Sequence, residues 1–128
     1  MPIKESIIKA KSFLFAIRIV NLCKYVQVEK KEYVLTKQLL RSGTAVGAMI
    51  REAEHSESRK DFVHKLAIAQ IEINETIYWL ELLKETSYLS EEEFQSIHEN
   101  AVGIIRILTA IIKTSKQKPA NDNNFSNN

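Results

Sequence analysis

Phe62-Val63-His64-Lys65-Leu66-Ala67-Ile68-Ala69-Gln70-Ile71-Glu72-Ile73-Asn74-Glu75-Thr76-Ile77-Tyr78-Trp79-Leu80-Glu81-Leu82-Leu83 is the stretch whose reading decides the fold. Within it Phe62, Leu66, Ala69, Ile73, Thr76, Leu80 and Leu83 step by four and three. Such a beat draws one apolar seam along a helix, and long helices with one seam pack side by side. Phe94, Ile97, Ala101, Ile104, Leu108 and Ile111 repeat the beat further along the chain. The spacing predicts an all-α fold built as a helical bundle. Ile68, Ile71, Tyr78 and Leu82 add a second apolar face to the first of these helices, so it packs against its own bundle and against something else.

Working outward, the pattern predicts helices over residues 3–25, 32–54, 59–86 and 91–115 in one domain spanning 1–115. Ser58 with Asp61, and Ser90 with Glu93, are the start signals of the third and fourth. Lys113, Lys116 and Lys118 suit the negative end of the fourth, and Pro119 stops it. Residues 116–128, rich in Asn, read as a disordered polar tail. The first helix has two apolar stripes, Ile3, Ile7, Ala10, Leu14 and Ile17, and Ile8, Phe15, Ile19 and Leu22. That is more than an isolated bundle buries, and it predicts contacts between subunits. The second helix carries Ser42-Gly43-Thr44-Ala45-Val46-Gly47-Ala48, small enough for a bend or for another backbone to cross closely.

Composition narrows the function classes. The single cysteine, Cys23, excludes an intrachain disulfide and a multi-cysteine zinc site, and its apolar neighbours predict a buried, inert thiol. Charges at Lys4, Glu5, Lys9 and Lys11 interrupt the N-terminus as a signal peptide, and no run is long enough to span a membrane, so a cytoplasmic protein is expected. Net charge is +2, yet residues 1–65 carry +6 and residues 66–128 carry −4. That asymmetry fits an anionic partner for the first half and equally fits attraction between the halves of one bundle.

Candidate chemistry is sparse. Glu52 and His55 form an E-x-x-H, of which di-iron bundles need two; His98 is preceded three residues back by Gln95, so no metal site is expected. His64 reads as solvated, and no catalytic residue or cofactor is assigned. Glu75 lies between the two apolar stripes of its helix and Arg41 precedes the small-residue stretch, so a structural ion pair is expected between them. Lys4, Lys11 and Arg18, seven apart on the first helix, with Lys37, Arg41 and Arg51 on the second, are the candidate phosphate contacts.

The run from Gln38 through Arg41-Ser42-Gly43-Thr44-Ala45-Val46-Gly47 to Ala53 resembles the signature of the four-helix bundle family first noticed in intervening sequences of bacterial 23S ribosomal RNA genes. Ser58-Arg59-Lys60-Asp61-Phe62, Leu66-Ala67-Ile68-Ala69, Glu75-Thr76, Trp79-Leu80-Glu81-Leu82-Leu83 and Tyr88-Leu89-Ser90 continue the likeness. The resemblance implies an antiparallel up-down four-helix bundle assembling as a ring-like homopentamer, without enzymatic activity. It extends to the accessory protein of diversity-generating retroelements, which pairs with a reverse transcriptase and carries a basic surface for nucleic acid. RNA or DNA, or a nucleic-acid-processing protein, are therefore the partners expected. Carried over residue by residue, Arg41, Glu52 and Glu75 take structural or interface roles, with Gly43 and Gly47 beside them. Gly47, Met49 and Ala53 depart from the proline, asparagine and glycine of many members.

Overall fold

The computed structural model describes residues 3–117, which form α1 (Ile3–Lys30), α2 (Leu35–Ala53), α3 (Arg59–Glu85) and α4 (Glu91–Gln117). Among the described residues there is no strand. α1 and α3 each pack against both α2 and α4, so α1 and α3 hold opposite corners of a four-helix bundle. No helix among the described residues is long and apolar enough to cross a membrane.

Every residue of the α3 seam from Phe62 to Leu83 is buried, as is the α4 seam from Phe94 to Ile111. Thr76 is the polar member of that core. Its hydroxyl lies 2.9 Å from Ser42 Oγ of α2 and 2.8 Å from the Glu72 carbonyl, so burial leaves it satisfied. On α1 the stripe of Ile8, Phe15 and Ile19 faces the core and continues through Cys23 and Val26. The other stripe, with Ile3, Ile7, Leu14 and Ile17, faces outward.

The small residues of α2 serve a close crossing. A Cβ on Gly43 would stand 2.8 Å from Ile19 Cγ2, and one on Gly47 would stand 3.4 Å from the Ser12 carbonyl oxygen. Lys9 pairs with Glu54 at 3.1 Å, and Cys23 Sγ reaches the Thr36 carbonyl at 3.5 Å. Contacts thus step down α2 as they step up α1.

The α1–α2 connection differs from the expectation. α1 runs five residues past Tyr25, and α2 begins at Leu35 rather than Glu32. Val26 completes the buried stripe, and nothing breaks the helix before Lys31, whose φ of 56° ends it. Glu32 then cannot be helical in its expected role, because its carboxylate folds back on the first turn of α2. It accepts from the N–H groups of Val34 at 3.0 Å, Leu35 at 2.7 Å and Thr36 at 2.9 Å. Val34, at the N-cap position, has no side-chain capping bond of its own, so Glu32 supplies it from two residues upstream.

The other ends follow their sequence signals. Asp61 N–H donates to Ser58 Oγ at 3.0 Å. Ser90 and Glu93 cap reciprocally at 2.8 and 3.1 Å. α3 closes with Ser87 at φ 70° and Tyr88 N–H donating to the Leu83 carbonyl at 2.8 Å, a Schellman arrangement. Lys116 and Gln117, read as tail, form the last residues of α4; residues 118–128 of that tail, with Lys118 and Pro119, lie outside the described residues.

Candidate nucleic-acid interface

The six candidate phosphate contacts fall into distinct environments. Lys4 and Lys11 are exposed on α1 and make no ion pair among the described residues. Arg18, two turns on, is half-buried and folds against α4. Its Nη1 donates to the Ser96 carbonyl at 3.2 Å and to Asn100 Oδ1, and its Nη2 donates to Ser96 Oγ at 2.6 Å. These acceptors are neutral, so Arg18 keeps its positive charge while its fork of donors is largely committed.

The cations of α2 point elsewhere. Arg41 turns to α3, donating to Glu72 Oε2 at 3.1 Å and to Glu75 Oε2. The Glu75 hydrogen bond is foremost in raising the guanidinium pKa, and the two carboxylates leave this cluster with a net charge of −1. Arg51 turns to α1 and lies 5.0 Å above the Phe13 ring. Lys37 is exposed with no ion pair among the described residues. Arg41 and Arg51 therefore occupy opposite edges of α2, and the six cations do not gather on one surface. Arg41 and Glu75 are brought together as a tie between α2 and α3, Gly43 and Gly47 lie at the α1 crossing, and Glu52 is exposed near the end of α2.

Arg18 bridges an open seam. On one side of it lies a groove of about 400 Å³ between α1 and α4, lined by Lys11, Leu14, Ile17, Asn100 and Gly103. On its other side Asn21, Tyr25, Glu93 and Ile97 line a second space of about 290 Å³. Sequence reasoning missed the groove and its polar partners. The available signal was Ser96, Asn100 and Gly103, polar or small residues at helical spacing along one side of α4.

Among the described residues no three His, Cys, Asp or Glu side chains converge to hold a metal ion. Burial, with the nearby negative charge of Glu32 adding to it, pushes the Cys23 thiol up to about 12, so it stays protonated at neutral pH.

The family model described as 23S rRNA-intervening sequence protein matches residues 4–110. A crystal structure from Bacteroides thetaiotaomicron, described as a protein with unknown function from the S23 ribosomal protein family, is 52% identical. It superimposes with a TM-score of 0.86 over 87% of this chain and 99% of its own. No curated protein matches.

Proposed function

We propose, from the premise that this chain belongs to the 23S rRNA-intervening sequence protein family, that it is a non-enzymatic, oligomeric bundle that binds structured RNA or DNA, or a nucleoprotein partner, through basic helix surfaces. In this reading the helices run antiparallel, up and down, the copies close into a ring-like homopentamer, and the protein acts in the cytoplasm. It uses no cofactor.

The observation that carries the reading is the row of Lys4 and Lys11, seven residues apart on α1, exposed and unneutralised among the described residues, with the charge of Arg18 continuing it. Seven residues of helix rise about 10 Å, so the row offers spaced charges to a phosphate backbone. Such contacts hold a nucleic acid in place without reading its sequence. Repetition around an oligomer multiplies the row. Lys37 and Arg51 add charge on α2, whereas Arg41 is tied to its two glutamates and serves the α2–α3 packing.

The test is fluorescence anisotropy with nuclease-treated protein, a labelled structured RNA and a matched DNA duplex, across a salt series. The expected result is submicromolar binding that weakens steeply with salt. Lys4→Glu with Lys11→Glu should weaken it about tenfold or more at low salt and flatten the salt slope, since each phosphate contact contributes roughly −0.9 to that slope on duplex DNA. Circular dichroism should be unchanged. Absence of binding at low salt, or equal binding by the variant, overturns the reading. The outward apolar stripe of α1 would then favour the second reading, a protein–protein interaction scaffold with no nucleic-acid binding.

A further inference from the structure

Folding gathers the positive charge of the chain at one end of the bundle. Ser12 lies against Gly47, Gln70 bonds Thr109, and Glu5 and Ile8 share a small cavity with Phe62 and Ile111. Residues 3–14, 47–73 and 103–117 therefore make up one end. That end holds ten Lys and Arg against six Asp and Glu, whereas the other, residues 15–46 and 74–102, holds seven against nine. The face over α1 and α4 shows the change most plainly. Glu92, Glu99, Arg106 and Lys113 follow at sevens along α4, all exposed and none ion-paired among the described residues. That row turns from acidic to basic midway. Arg18 reaches Ser96 and Asn100, and Ile8 lines the same cavity as Ile111. With an equal rise per residue on both helices, Lys11 stands about level with Arg106 and Lys4 with Lys113.

We propose that a double helix of RNA or DNA lies over the α1–α4 seam at this basic end, with Lys4 and Lys11 on one phosphate backbone and Arg106 and Lys113 on the other. This rests on the nucleic-acid reading above, to which it adds the second row of contacts and the form of the nucleic acid. Each row spaces its charges by about 10 Å, roughly three nucleotides of a duplex strand. Axes of packed helices lie about 8–10 Å apart, so the two rows suit the two backbones that border the narrower groove of a double helix. A single strand would need only one row, together with rings on which its unpaired bases could stack. The one Phe, Tyr or Trp of α4 is Phe94, which is buried, as is Phe15 of α1. Phe13 lies on the α2 side beneath Arg51, and Tyr25 stands at the acidic end beside Glu93. Glu92 and Glu99 repel phosphate and confine the contact to the basic end.

Fluorescence anisotropy with a labelled DNA duplex, an RNA duplex and an unstructured oligothymidine strand of equal length tests the placement. Wild type should bind a duplex about tenfold or more tighter than the strand at low salt. Arg106→Gln with Lys113→Gln removes the α4 row without adding negative charge. It should weaken duplex binding about tenfold and flatten the salt slope by about 2, as Lys4→Gln with Lys11→Gln should. Lys24→Gln with Lys30→Gln takes the same charge from the other end and should bind as wild type does. All three pairs are exposed, and circular dichroism should be unchanged. A wild type that binds none of the three probes overturns the nucleic-acid reading itself. Duplex binding that the Lys4 and Lys11 variant loses but the Arg106 and Lys113 variant keeps overturns the second row alone. Equal weakening by the Lys24 and Lys30 variant overturns the placement at this end, since net charge would then explain the effect. Equal affinity for strand and duplex overturns the double helix as the form bound.

Discussion

A methyl group on Gly43 would meet the buried side chain of Ile19 at 2.8 and 2.9 Å, whereas one on Gly103 would meet nothing within 4 Å. Both glycines lie inside helices, where alanine is intrinsically better by roughly 1 kcal/mol. At Gly43 the gain is opposed by forcing a β-branched core residue aside, which costs about 1–3 kcal/mol. Gly43→Ala should therefore destabilise the fold by about 1 kcal/mol, the middle of that balance, and Gly103→Ala should stabilise it by about 0.5–1 kcal/mol. Urea midpoints at constant slope would show the opposite signs, and a Gly43→Ala protein as stable as wild type would remove the close crossing from the account. The difference between the two positions is only half legible in the sequence. Gly43 sits in a run of small residues with Gly47, which announces a neighbour, while Gly103 sits among large apolar residues and announces nothing by itself. The same holds for Arg41: its meeting with Glu75 follows from two long helices side by side, but the second carboxylate, Glu72, is one turn away and no less reachable, and only packing selects both.

The element least readable from sequence is the entry to α2, and the reason is chemical. Short polar residues are the usual helix-start signals, because their oxygens reach the first free N–H groups of the helix. Here the oxygens come from Glu32, whose longer side chain reaches forward from two residues before the N-cap. A glutamate in a polar segment reads equally well as the first helical residue. Likewise Lys31 adopts a left-handed backbone without being Gly or Asn, so α1 ends with no sequence mark. By contrast Ser58, Ser90 and Glu93 cap as their spacing says, and the apolar beat of α3 and α4 is fully buried. Burial pushes the Glu32 carboxyl up, but the N–H groups of Leu35, Thr36 and Val34 outweigh it and hold the pKa below the ordinary glutamate value. A carboxylate with a folded pKa below its unfolded one stabilises above the unfolded value, near pH 4.3, and loses that contribution as pH falls through the folded value. Glu32→Ala should thus cost about 1.5–3 kcal/mol at pH 7, the range for hydrogen bonds to a charged group. The gap between variant and wild type should narrow below about pH 4. Denaturant titrations of both at pH 7 and pH 3 measure it, and a gap of equal size at both values would show that Glu32 acts through packing rather than charge.

At the scale of the whole bundle, the seams between helices are fastened by different means. α1 and α2 close over glycines, α2 and α3 share the buried Ser42–Thr76 bond and the Arg41 cluster, and α3 meets α4 through Gln70 to Thr109 and Lys84 over the Phe94 ring. α1 and α4 leave about 400 Å³ open between them, and Arg18 spans the gap with three hydrogen bonds to Ser96 and Asn100. The architecture was legible because a period of seven specifies a seam whatever its neighbours. Which two helices would stand apart was not, because it depends on the relative bulk of four seams at once. Arg18 is therefore a clamp as well as a cation, and replacing it should act on the seam before it acts on any ligand. Arg18→Ala should lower stability by roughly 1 kcal/mol, since its acceptors are near water and recover partners from it. The loss should be local. Hydrogen exchange should quicken in α1 and α4 around residues 12–22 and 94–104, while the protection of α2 and α3 stays near wild type. Arg18→Lys should behave nearly as poorly, since one ammonium cannot reproduce the planar fork that reaches Ser96 twice and Asn100 once. Unchanged exchange in α4 would make Arg18 a surface charge like Lys4 and Lys11, and its substitution would then belong in the nucleic-acid experiment; faster exchange keeps it out, and leaves the two lysines to carry that test.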